Sequence, residues 1–167
     1  DNLEIRLAAP TGRAAKRMTE TTGCQAQTIH RLLEINGSTG TDDSLDMDAK
    51  FERNETNPIE ADVIIIDEMS MVDTYLFRSL IRAVPSNMQV VFVGDKDQLP
   101  SVGAGQVFFD LLQSQAIPAI ELQQIYRQDD ESTIIPLAHE INQGQLPADL
   151  LQPQKDRSFI QCSPYQI

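Results

Sequence analysis

The sequence predicts an α/β fold, a parallel sheet with helices on both faces. Three apolar runs carry that expectation: Ile5-Arg6-Leu7-Ala8-Ala9, Val63-Ile64-Ile65-Ile66 and Val90-Val91-Phe92-Val93. Each lacks the alternation of a half-exposed strand, as central parallel strands do when both faces are covered. Each also exits into polar or glycine-rich residues, namely Pro10-Thr11-Gly12, Asp67-Glu68 and Gly94-Asp95. Helical patterns fill the spaces between them.

The elements follow in order. After the first strand, Thr11 is placed to cap a helix over 13–21 that stops before Gly23. The stretch Thr28–Ile35 puts Ile29, Leu32 and Leu33 on one helical face. After the second strand, Asp73 caps a helix that stacks Leu76 on Leu80, and Phe77 on Ile81 and Val84, before Pro85 ends it. Beyond the third strand and Gly105, a helix carries Val107, Phe108, Leu111 and Leu112. Ile120-Glu121-Leu122 reads as a weaker fourth strand. A last helix begins at Ser132, with Ile134, Ile135, Ala138 and Ile141 inward, and stops at Gly144. Ser158–Cys162 reads as the first strand of what comes next.

Between Asn36 and Asn57, Gly, Ser, Thr, Asp and Asn dominate, which marks an insertion or loop. The chain therefore reads as one domain over 1–146 with a short insertion at 36–60. Residues 147–167 read as a linker and the start of a second domain. No apolar stretch approaches the roughly 20 residues of a membrane span, so no membrane partner is expected. Two cysteines and two histidines do not suggest a structural zinc site, and a reducing, cytoplasmic setting is expected.

The formal net charge is −12, which weighs against nucleic acid as a partner. The charge is uneven, however. Arg6, Arg13, Lys16, Arg17 and Arg31 lie in the first 34 residues, while acids concentrate between Asp42 and Asp62. A basic glove around DNA is excluded, but a narrow track that grips one strand by stacking and backbone contacts is not.

Ligands of open α/β sheets bind beyond the carboxyl ends of the strands, where all three polar exits lie. In a nucleotide site, Asp67 at such an exit would hold Mg²⁺ through water, and Glu68 would orient or deprotonate an attacking water. The plain alternative is an acidic strand-to-loop turn. Gln98, on the loop after Gly94 and Asp95, offers donor and acceptor in one amide and suits a terminal phosphate. Alone it is equally a polar turn residue.

Taken together, these segments resemble a known family. Asp-Glu-Met-Ser at 67–70, Gly-Asp-Lys-Asp-Gln-Leu-Pro-Ser-Val-Gly-Ala-Gly at 94–105 and Ile-Tyr-Arg-Gln at 125–128 look like helicase motifs II, III and IV. Leu-Ala-Ala-Pro-Thr-Gly-Arg-Ala-Ala at 7–15 resembles motif Ia, and Thr-Ile-His-Arg-Leu-Leu at 28–33 the segment after it. Order and spacing are similar to RecD-like superfamily 1 DNA helicases, including the alpha subunit of exodeoxyribonuclease V, over roughly residues 3–150. The resemblance implies the first motor domain of an ATP-dependent helicase, with a RecA-like P-loop NTPase core. It implies ATP and Mg²⁺ as cofactors, 5′-to-3′ movement, and service in recombination and repair.

The resemblance also assigns roles. Asp67 would hold Mg²⁺, Glu68 would activate water, and Gln98 would touch the γ-phosphate beside Gly94 and Asp95. Arg127 would reach that phosphate with its planar fork; by itself it reads as a surface ion pair. Pro10, Thr11 and Arg13 would line a single-stranded DNA track, joined by His30, which is as well placed to be a packed structural histidine. Implied partners are DNA, a second motor domain of the same polypeptide and other subunits of a recombination complex.

The sequence departs from the family's pattern in one large respect. No Gly-x-x-x-x-Gly-Lys-Ser/Thr loop occurs, so the backbone cradle for phosphates and its lysine are missing. The simplest expectation is a core truncated at the N-terminus, with the loop encoded upstream and this chain alone inactive in ATP hydrolysis. Two other readings stand beside this one: a non-catalytic RecA-like interaction module, and an NTPase that acts on protein.

Overall fold

The computed structural model describes residues 3–35, 51–122 and 132–163, which fall in two compact units, Asp1–Ala119 and Ile120–Ile167. In the first unit, strands β1 (Ile5–Ala9), β2 (Ala26–Thr28), β3 (Val63–Ile66) and β4 (Gln89–Phe92) form one sheet. Its order is β2-β1-β3-β4, and every neighbouring pair is parallel. Three strands fall where the apolar runs predict, with β4 one residue earlier. β2 is an addition that the sequence did not announce.

Helix α1 (Gly12–Thr22) connects β1 to β2, and α3 (Thr74–Ala83) connects β3 to β4. The chain thus leaves β1 toward one sheet edge and β3 toward the other. That makes the cleft between the carboxyl ends of β1 and β3 the topological switch point.

Register sets the two faces. Ala8, Ile66 and Phe92 align across the sheet, as do Ile64 and Val90. This face packs against α2 (Ile29–Leu32), α3 and α4 (Val107–Ser114) through buried Ile29, Leu32, Leu80, Ala83 and Val107. The rings of Phe77 and Phe92 meet at 5.7 Å between centroids. On the opposite face Leu7 and Ala9 are buried, and α1, with buried Ala15, packs on β1 and β2. Toward β4 that face opens: Val91 is 39% exposed and Val93 46%. Helices flank both faces, as expected, but the second is covered on one side only.

Caps decide most boundaries. The Thr11 hydroxyl accepts a bond from the Ala14 amide at 3.2 Å, and Gly23 closes α1 in the left-handed conformation with φ 71°. Asp73 accepts from the Leu76 amide at 2.8 Å at the start of α3. On that helix Ile81 is 41% exposed, not inward, because Leu76, Leu80, Ala83 and Val84 already fill the core-facing stripe. The helix expected to reach Ile35 stops at Leu32. Glu34 turns left-handed there (φ 54°) and Ile35 forms an antiparallel bridge with Phe51. Ile29, Leu32 and Leu33 are nevertheless all buried.

Residues 36–50 of the expected insertion lie outside the described residues. Its return leg belongs to the core: Phe51 and Ile59 are buried, and Arg53 bonds Glu34 at 2.8 Å and the Pro58 carbonyl at 3.0 Å.

In the second unit, α5 (Ile134–Asn142) ends at Gly144 with φ 74°. Its first turn is held by Asp156, whose carboxylate accepts from the Ser132 hydroxyl at 3.0 Å, the Thr133 amide at 2.9 Å and the Thr133 hydroxyl. The expected inward face is not formed. Ile134 and Ile141 are each 50% exposed and Ala138 is exposed too, since so short a unit buries little surface. The expected strands at 120–122 and 158–162 are absent for a related reason. Ile120 is 91% exposed, Leu122 90% and Ile160 80%, and no strand lies beside either run among the described residues. An apolar triplet without a pairing partner gains nothing from extension.

Two predictions follow from these backbone details. Glu68 sits left-handed at the end of β3 (φ 56°, ψ 41°), a conformation costing a non-glycine residue about 1 kcal/mol. Glu68→Gly is therefore expected to raise the urea midpoint or leave it unchanged, whereas Glu68→Ala gains nothing. At Asp156, the Thr133 hydroxyl bond above all holds the carboxyl at about 2, below the ordinary 3.8. A depressed folded value means that the clasp is fully effective above the unfolded value and is lost as pH falls through about 2. NMR chemical shifts of Thr133 and Ile134 should lose helical character across that window, and Asp156→Ala should produce the same change at neutral pH.

Candidate functional site

Three backbone hydrogen bonds tie the carboxyl ends of β1, β3 and β4 together. The Asp67 amide donates to the Ala8 carbonyl at 2.9 Å, the Val93 amide to Ile66 at 2.8 Å and the Met69 amide to Val93 at 3.0 Å. Asp67 is thus held toward β1 and Met69 toward β4, with one residue between them. That residue is Glu68, and its left-handed turn lets the chain reach both neighbours. Strained non-glycine residues of this kind cluster at functional sites.

Both carboxylates are partly buried. One Asp67 oxygen, Oδ1, accepts from the Glu68 amide at 2.8 Å. The Ser70 hydroxyl, in the 3₁₀ turn Met69–Met71 that follows, is buried and has no hydrogen-bond partner among the described residues. In the sequence Ser70 stands out only as the last residue of Asp-Glu-Met-Ser. A buried hydroxyl left unsatisfied costs about 1–3 kcal/mol, so its presence beside two carboxylates is a feature of the site.

The loop bearing Gln98 starts from the same sheet end. Gly94 lies so close to the Phe108 ring and to Met69 that an added Cβ would stand 3.1 Å and 3.3 Å from them. Asp95 then folds the loop on itself: its carboxylate accepts from the Asp97 amide at 3.0 Å and from the Gln98 side-chain amide at 3.4 Å. The Gln98 backbone amide donates to the Asp95 carbonyl at 3.3 Å. Gln98 itself is exposed.

On the β1 side, Pro10 and Thr11 are half-buried at the strand exit, and Arg13 is exposed in the first turn of α1. Because β2 runs parallel to β1, its exit adds a fourth contribution at the same end. Thr28 caps α2, accepting from the Arg31 amide at 3.2 Å. His30 follows, with its ring centroid 5.9 Å from that of Phe51 and the planes tilted by 56°.

The structure therefore brings Pro10, Thr11, Arg13, His30, Asp67, Glu68, Gly94, Asp95 and Gln98 to one end of one sheet. Arg127, with Ile-Tyr-Arg-Gln, lies outside the described residues. Among the described residues no group of three or more His, Cys, Asp or Glu is arranged to hold a metal. A divalent ion at Asp67 would draw its other ligands from water and from a phosphate, which is how Mg²⁺ is commonly held. No described helix is long and apolar enough to cross a membrane.

Comparison with known proteins agrees with this geometry. Residues 1–165 match the family described as an AAA domain. The ATP-dependent RecD2 DNA helicase of Deinococcus radiodurans is 44% identical over 146 residues, 87% of this chain and 19% of that protein. The RecBCD enzyme subunit RecD of Mycolicibacterium smegmatis is 38% identical over 125 residues, 65% of this chain and 21% of that one. The chain thus spans about a fifth of the length of these curated relatives. Among solved structures, Bacteroides sp Pif1 in complex with ADP-AlF4 superposes with a TM-score of 0.54 at 25% identity, covering 90% of this chain and 39% of that one. By these matches the chain belongs to the AAA domain family, and the resemblance carried by its motifs extends over most of its length to RecD-like helicases.

Proposed function

We propose that this chain is the first motor domain of an ATP-dependent DNA helicase that moves 5′-to-3′ and serves DNA recombination and repair in the cytoplasm. On this reading the domain covers 1–146, and 147–167 lead into a second motor domain. The observation that carries the proposal is the hydrogen-bonded convergence of the β1, β3 and β4 exits, which sets Asp67, Glu68 and the Gln98 loop side by side at a topological switch point. The similar Pif1 structure holds ADP-AlF4, and the similar RecD2 protein is named as ATP-dependent.

In this reading the residues fit a magnesium nucleotide. Asp67 would hold the ion, which when bound would neutralise phosphate charge. Glu68 orients the attacking water and takes its proton. Gly94 and Asp95 border the nucleotide, and Gln98 turns from Asp95 to the terminal phosphate. Arg127 adds a guanidinium. The unpartnered Ser70 hydroxyl supports the fit, since a bound phosphate or its water would satisfy it.

DNA binding belongs to the β1 side. Arg13, Lys16 and Arg17 occupy the amino-terminal half of α1, and its first turn holds no acid. Cations there oppose the helix dipole, a cost reversed when an anionic backbone lies alongside. Pro10, Thr11 and Arg13 form the single-strand track in this reading. His30 packs on Phe51, which favours its structural role while leaving it at the track's edge. The half-open sheet face and the outer edge of β4, unpaired among the described residues, support a further strand and helix packing there, as an upstream phosphate-loop unit would. Other subunits of a recombination complex are partners by the same resemblance. The acidic total favours the interaction-module alternative, but that reading leaves the strained Glu68 unexplained.

This chain alone is expected to hydrolyse little or no ATP. In the full-length polypeptide, DNA-stimulated turnover should fall at least about 100-fold in Glu68→Gln. Wild-type protein without turnover, or turnover indifferent to that change, would sink the motor reading. Arg13→Ala should weaken single-strand binding and lower the salt slope by about 0.7, one phosphate contact, as read by fluorescence anisotropy across a salt series.

A further inference from the structure

The loop that carries Gln98 is anchored at both ends by glycines, and the second anchor lies on the helix that follows the carboxylates. At its start stands Gly94, against Phe108 and Met69. At its end, a Cβ on Gly103 would lie 2.7 Å from Asp73 Cβ and 2.8 Å from Asp73 Cγ. Gly105 has φ +90°, and a Cβ there would run into the Thr74 hydroxyl. The Thr74 amide donates to the Ala104 carbonyl at 2.9 Å. Ser101 pins the loop from within, its hydroxyl placed 3.2 Å from the Gly103 carbonyl and 3.1 Å from that of Gly105.

Between these anchors the loop lies open to solvent. Residues 95–100 are exposed, with Leu99 87% accessible, and Gln98 bonds to Asp95 through both its side chain and its backbone. Asp73, by contrast, is tied closely to Glu68. The Met71 amide donates to Glu68 at 3.0 Å, the Val72 amide donates to Met69 at 3.1 Å, and Met69 and Val72 are buried. The same Asp73 carboxyl that touches Gly103 also caps α3.

We propose that Asp73 is a positioning residue: its contact with Gly103 fixes the Gln98 loop to the turn that carries Asp67 and Glu68. The proposal rests on the reading of Glu68 and Gln98 as nucleotide-facing groups. It assigns the glycine at 103 to close approach, because its φ lies outside the left-handed range and its backbone would accept a side chain. The contact couples the two halves of the site, so that Gln98 keeps its place relative to Glu68.

The contact is tested by moving the side chain from one partner to the other. Gly103→Ala forces a methyl onto Asp73. Adding Asp73→Gly removes the obstacle, and glycine still serves as a helix cap at little cost. In this chain, amide exchange over 94–105 should speed about tenfold in Gly103→Ala and return toward wild type in the double variant, with β1 and β3 unchanged in both. In the full-length polypeptide kcat should follow the same pattern, falling about tenfold and recovering, with KM for ATP nearly constant. The proposal is overturned if Gly103→Ala leaves exchange unaltered, if the double variant is no better than the single, or if kcat ignores the contact. Absent wild-type turnover would instead sink the nucleotide reading, and the exchange pattern would still decide whether the contact exists.

Discussion

The arrangement depends on a short strap of backbone hydrogen bonds. Asp67 reaches to β1 and Met69 to β4, at 2.9 Å and 3.0 Å, so the end of β3 is sewn to both neighbours before the chain turns away. A strand ending free would leave its last side chains to wander. Here the buried positions Ile66 and Met69, each fully covered, bracket the carboxylates and leave them one geometry. The left-handed backbone of Glu68 follows from that bracketing. Local preference is overridden because two amides two positions apart along the chain must satisfy carbonyls on opposite sides.

What could be read from the sequence divides along the same physical line. β1, β3 and β4 were legible because their runs are apolar without alternation, and α1 and α3 because Thr11 and Asp73 are strong caps. β2 was not. Ala26-Gln27-Thr28 carries no apolar signal, and it is a strand because β1 offers it a ladder at Leu7, Ala8 and Ala9. The reverse error occurred at 120–122 and 158–162, where apolar residues were present but no neighbouring strand was among the described residues. Strand identity in those cases is a property of pairing, which a single sequence does not display.

The site divides in the same way. Asp67, Glu68 and Gln98 could be singled out as candidates because chemistry-bearing residues at strand exits form a recognisable pattern, and the structure sets them at one end of the sheet. The contact of Asp73 with Gly103 and the burial of the Ser70 hydroxyl were not legible. A helix cap looks the same whether or not its carboxyl also rests on a distant glycine, and a serine's lack of a partner becomes visible only once its surroundings are filled in. Likewise the return leg of the insertion looked polar, with Arg53, Asn54, Glu55, Thr56 and Asn57 in a row. Its buried Phe51 and Ile59 are flanking residues whose burial depends on the core they complete.

The glycines sharpen the point about what such a site requires. Gly94 and Gly103 are not at backbone angles that demand glycine, yet Gly103 has no room for a Cβ and at Gly94 one would crowd Phe108 and Met69. Their value is proximity: each lets a loop lie directly on a side chain of the carboxylate-bearing segment, Met69 in one case and Asp73 in the other. Such approaches forgo side-chain packing that would otherwise stabilise the fold, as Glu68 forgoes a relaxed backbone. A sequence selected only for stability would replace these features. Left-handed backbone by itself also occurs at Glu34 and Gln115; what sets the segments 67–74 and 94–105 apart is that Glu68 joins two close glycine contacts there, which says that this end of the sheet is held to a geometry for a purpose other than folding.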